Sequence, residues 1–129
     1  MQEPHLFEYA VLRVVPHVER EEFLNVGVIL YCSSEKFLNC LTHIDEDRLK
    51  TLCDKIDFED LKEHVRSFER LCAGGKDAGP IGKLSMPERF RWLTAVRSTI
   101  IQTSNVHPGL CTDAAQMLRK LFNQLVEKV

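Results

Sequence analysis

An α+β fold, a mostly antiparallel sheet of about four strands with helices packed mainly on one face, follows from three features of the chain. The first third holds apolar, β-branched runs of strand length separated by polar turns. After residue 45 the apolar period changes from two to about 3.6, the spacing of a helix face. The last seventeen residues, 113–129, carry one sharply apolar stripe. At 129 residues the chain suits a single domain, residues 1–129, because one core commonly serves roughly 100 to 150 residues.

The first strand is read over Phe7–Pro16, with Phe7, Tyr9, Val11 and Val15 on one face and Ala10, Leu12 and Val14 on the other. A run apolar on both faces belongs in the middle of a covered sheet, and Arg13 is its interior exception. Asn25–Cys32 forms the second strand, with Gly27 marking a bulge or a close approach of backbone. Lys36–His43 returns as the third after a turn over Cys32–Glu35.

Asp45 caps a first helix that turns Leu49, Leu52, Cys53 and Ile56 to one side. Asp57 caps a second, in which Leu61, Val65, Phe68 and Cys72 share a face. Ala73-Gly74-Gly75 ends it, and a loop through Pro80 and Gly82 leads to a capping box, Ser85-Met86-Pro87-Glu88. The third helix carries Phe90, Trp92 and Leu93. A fourth strand is expected over Arg97–Thr103, followed by a loop containing Pro108-Gly109. The last helix starts at Asp113 and Gln116 and buries Ala114, Leu118, Leu121, Phe122, Leu125 and Val129.

Composition narrows the function classes. The chain is 44% hydrophobic and 28% charged, as ordinary globular proteins are. No apolar run reaches the roughly 18 residues of a membrane span, and MQEPHLFEYA lacks a signal-peptide pattern, so the expected location is the cytoplasm. Five widely spaced cysteines, Cys32, Cys40, Cys53, Cys72 and Cys111, fit reduced thiols better than a disulfide frame. A net charge of −2 supplies no global attraction for nucleic acid. Lys83, Arg89, Arg91 and Arg97 against Glu88 nevertheless make residues 83–97 locally basic.

That basic segment runs into the most polar stretch of the chain, Arg97–Gly109. Arg13, Arg97, Ser98, Thr99, Gln102 and His107 are the residues expected to bind a phosphate or carboxylate. Guanidinium groups meet such anions in bidentate fashion, and hydroxyl and amide groups complete the oxygen shell. A buried Arg–Glu pair with solvated Ser and Thr accounts for the same residues structurally. Acid–base work would fall to His17, Glu19, Glu21, Glu22 and His107, yet HVEREE also reads as a solvated connection. Ser98, Ser104 and Cys111 are conceivable nucleophiles without a local signature. Cys40, His43, His107 and Cys111 are the types that hold zinc, but Cys40 and His43 point to opposite faces of a strand, so no metal and no cofactor is expected. Arg89, Arg91 and Trp92 form the expected interface, for a protein or for nucleic acid.

Two segments, YAVLRVVPHVEREEFLNVGVILYC and RFRWLTAVRSTIIQTSNVHPGLC, resemble the bacterial family catalogued as domain of unknown function 3037. The resemblance carries no reaction and no catalytic residue. It implies a compact bacterial protein, often encoded beside a HipA-like kinase, and hence an interaction or regulatory module with that kinase as partner. The alternative expectation is a small enzyme or ligand-binding domain for a phosphorylated metabolite or nucleotide. Nucleic-acid binding ranks third.

Overall fold

In the computed structural model, residues 3–95 and 99–127 are described. Five strands form one sheet: β1 (His5–Val14), β2 (Leu24–Cys32), β3 (Phe37–Thr42), β4 (Ile101–Thr103) and β5 (His107–Cys111). Every pairing is antiparallel. The order is β3-β2-β1, and β4 and β5 share the far side of β1, pairing with Leu12–Val14 and His5–Tyr9 respectively. The central strand of the sheet is thus the one whose two faces both read as apolar.

The stretch expected as a loop around Pro108-Gly109 is a strand. An edge strand tolerates proline because not all of its N–H groups are needed by a neighbour. Gly109 has its own reason to be there: a Cβ at that position would lie 2.5 Å from the Phe7 ring. The expected fourth strand shortens to Ile101–Thr103. Between the two pieces sits buried Ser104, whose Oγ accepts from Val11 N–H at 2.8 Å while its own N–H donates to the Val11 carbonyl at 2.8 Å.

The described residues also form four α-helices: α1 (Glu46–Leu52), α2 (Phe58–Ala73), α3 (Met86–Leu93) and α4 (Ala114–Phe122). Asp45, Asp57 and Asp113 cap α1, α2 and α4 by accepting the N–H of Arg48, Asp60 and Gln116. At α3, Ser85 Oγ accepts the Glu88 N–H at 3.4 Å and donates to the Glu88 carboxylate at 2.7 Å. The expected reciprocal box is therefore closed side chain to side chain.

The helices divide unequally between the two faces. Leu49 of α1, Leu61, Val65, Phe68 and Cys72 of α2, and Phe90 and Leu93 of α3 pack with Ala10, Leu12 and Val14 of β1. On the other face α4, alone among the described α-helices, brings Ala114, Leu118 and Phe122 onto Phe7, Val28, Leu30 and Cys32. A π-helical turn, Asn123–Glu127, extends α4 and buries Val126, with Leu125 only half-buried. Val129 lies outside the described residues. No helix among the described residues is long and apolar enough to cross a membrane.

Candidate functional site

The site begins with a register shift. β1 and β2 slip by one residue between Leu12 and Arg13, so Leu12 faces Gly27, Arg13 faces Asn25, and Val26 is the extra residue. Gly27 marks close approach: a Cβ there would stand 2.8 Å from the Leu41 carbonyl oxygen. On its other side Arg13 is the partner of Gln102. Directly paired residues share a sheet face, so Asn25, Arg13 and Gln102 form a polar row across three strands.

The row lies at the end of α4. Asn25 Nδ2 donates to the Leu125 carbonyl at 3.1 Å, which ties the end of the π turn to β2. Beyond it, Arg13, Val15, Val18, Glu21, Phe23, Gln102 and Thr103 line an open cleft of about 430 Å³. The Arg13 guanidinium stacks on the Phe23 ring, 4.1 Å from its centroid. Phe23 is 44% exposed and Val18 47%, so the cleft has an apolar rim. Two buried polar atoms in the row have no hydrogen-bond partner among the described residues: Arg13 Nε and Asn25 Oδ1. One is a donor and the other an acceptor, and such unmet atoms are uncommon in folded proteins.

The expected anion-binding residues do not all meet here. Arg13 and Gln102 come together; Gln102 Nε2 donates to the Thr99 carbonyl at 3.0 Å. Thr99 lines a different groove with His64, Ser67, Phe68 and Leu71 of α2. His107 pairs with Tyr9, four residues and so about 13 Å along β1 from Arg13, and its ring packs 5.3 Å from the Tyr9 ring. Arg97 and Ser98 fall outside the described residues. Phe23 and Val18 are the members that sequence reasoning missed, because an exposed aromatic in a polar turn carries no periodic signal.

Other candidates have structural employment. Arg89 donates to the carbonyls of Leu71 at 3.1 Å and Leu84 at 2.8 Å, clamping the end of α2 to the loop before α3. Arg91 and Trp92 remain on the outer side of α3, with Trp92 47% exposed. His17 stands 3.9 Å from Glu19, and Arg20 pairs with half-buried Glu22, on and beside the 3₁₀ turn Val18–Arg20. Ser104 is taken up by the backbone of β1, so its hydroxyl is no free nucleophile.

A family model described as protein of unknown function (DUF3037) matches residues 9–126. The chain belongs to the DUF3037 family. No curated protein and no solved structure matches it. The match spans every residue that lines the cleft of this DUF3037 chain, from Arg13 on β1 to Thr103 on β4.

Proposed function

We propose that the chain is a binding module that takes the carboxylate or phosphate of a small molecule in the Arg13 cleft. The observation that carries this reading is the state of Arg13. Its guanidinium carbon lies 4.1 Å from the centroid of an exposed aromatic ring, beside an open cleft, with a buried Nε–H unpaired among the described residues. Desolvating a donor without a partner costs about 1 to 3 kcal/mol, a cost that a bound anion would offset. Gln102 and Thr103 supply neutral polar groups, and Val18 and Phe23 supply apolar surface for the rest of the ligand. Glu21 on the same wall favours ligands that carry a donor beside the anion.

A thermal-shift screen of phosphorylated and carboxylated metabolites, with inorganic phosphate as the minimal probe, tests the proposal. A true ligand at 100 times its dissociation constant stabilises by about 2.7 kcal/mol. The shift is expected to vanish in Arg13→Ala and to weaken in Phe23→Ala. No shift across the panel, or a shift unchanged in Arg13→Ala, overturns it.

A second reading is favoured by Trp92 and Arg91, consecutive and both exposed on α3, since Trp and Arg concentrate binding energy in protein interfaces. Here the chain is a regulatory partner of a HipA-like kinase, the partner that the family resemblance implies. Copurification of the two at micromolar concentration, lost in Trp92→Ala, supports it. Independent elution, with no effect of either on the other's activity, rejects it.

A further inference from the structure

At the opposite end of the face covered by α4, three side chains gather that the cleft does not use. Cys32 ends β2, Cys111 ends β5, and Glu35 lies in the turn between β2 and β3. One ligand atom from each lies within 4.8 Å of the other two. Both cysteines are buried and Glu35 is exposed, so the group is closed on the core side and open to solvent at the carboxylate.

Glu35 is held in place from outside its turn. Its two carboxylate oxygens accept the N–H of Ala114, the first residue of α4, at 3.0 and 3.2 Å. The Cys32 thiol donates to Glu35 Oε2 at 3.8 Å. A helix cap explains the carboxylate alone. It gives no reason for two thiols to converge on it from different strands.

We propose that Cys32, Glu35 and Cys111 bind a thiophilic divalent cation, with Zn²⁺ as the ion that the donor set fits. Two thiolates and one carboxylate are accepted zinc ligands, and a water completes a four-coordinate shell. A tetrahedral ion about 2.3 Å from each sulfur holds them about 3.8 Å apart, so the side chains need close by about 1 Å or less. One Glu35 oxygen turns to the ion while the other keeps the Ala114 N–H, which fixes the orientation of the ligand. Three anionic ligands leave the complex with a charge of −1, and the N-terminus of α4 favours negative charge there.

A disulfide fits the same sulfurs poorly. Cys32 and Cys111 belong to strands on either side of β1, two interstrand spacings apart and so about 9 to 10 Å between backbones. A disulfide requires Cα atoms closer than about 7 Å. An ion bridges the wider gap.

Cys111 holds its proton more tightly than a free thiol does. Burial pushes the Cys111 pKa up, and the nearby Cys32 and Glu35 add to the shift. The ion binds the thiolate form, so its binding displaces that proton.

Titration of the reduced full chain with Co²⁺ reads this site directly. A thiolate-to-cobalt charge-transfer band is expected to saturate at one equivalent and to disappear when Zn²⁺ is added. Cys32→Ser and Cys111→Ser lose the band. Glu35→Gln, which keeps an acceptor for the Ala114 N–H and lies outside the core, weakens binding at least about tenfold while circular dichroism stays unchanged. The double variant Cys40→Ser/Cys72→Ser keeps the band. No band at stoichiometric Co²⁺, a band unaltered in Cys111→Ser or in Glu35→Gln, or one lost only with Cys40 and Cys72 overturns the proposal. Phosphate binding at Arg13 is read separately and is indifferent to either result.

Discussion

Ser104 carries the junction between β4 and β5 on a single hydroxyl. Replacing it with alanine leaves the Val11 N–H buried without its acceptor, so Ser104→Ala is expected to cost about 1 to 3 kcal/mol in chemical denaturation. Gly109→Ala drives a methyl group into the Phe7 ring and costs a comparable amount, on the order of 1 to 3 kcal/mol, with a matching fall in melting temperature. Arg13 could be singled out in the sequence because a charge interrupted a run apolar on both faces. Its stacking partner could not, because the one-residue slip that brings Arg13 opposite Asn25 is a property of strand pairing. The structural role of Arg89 was hidden for a related reason. A cation beside Trp92 in sequence looks like a surface patch, whereas its head reaches back to the carbonyls of Leu71 and Leu84.

Among the elements, α4 has the most dependent on it, since among the described residues it is the one α-helix on its face of the sheet. Leu118 is fully seated there, and Leu118→Ala is expected to lower stability by about 2 to 5 kcal/mol, measured by urea unfolding. Asp113→Ala removes the cap and costs about 1 kcal/mol, because the Gln116 N–H loses its acceptor. The apolar stripe of α4 was legible from its spacing alone. Which face of the sheet receives it was not, because both faces of β1 and β2 are apolar. The strand β5 was hidden by Pro108-Gly109, a pair that signals a turn in isolation and becomes acceptable only at a sheet edge.

For the whole molecule, the two-faced core decides how the thiols behave. The side-chain hydrogen bond to Cys40, together with burial, holds the Cys72 pKa far above its ordinary 9.0, and burial raises that of Cys111. Folded chains thus keep these protons at pH values where unfolded chains lose them. The stabilisation is complete below about pH 9 and declines above it, on the order of 1 kcal/mol per pH unit from Cys72. Thermal melts across pH 7 to 10.5 should show a plateau and then a fall, and Cys53, the one cysteine not fully buried, should react first with a thiol reagent. The odd cysteine count and wide spacing already indicated reduced thiols. The convergence of Cys32 with Cys111 was invisible because it depends on β5 being a strand.

The Glu35 cap reaches across 79 positions to the first N–H of α4, and this distance sets an order of events during synthesis. The hairpin of β2 and β3 supplies the carboxylate long before the helix that needs it has been made. Until those final residues arrive, Val28, Leu30 and Cys32 have no cover, while the opposite side already has α1, α2 and α3 to close it. A nascent or truncated chain ending before residue 113 would therefore present one sealed side and one sticky side, the form in which chaperones or self-association would be expected to capture it.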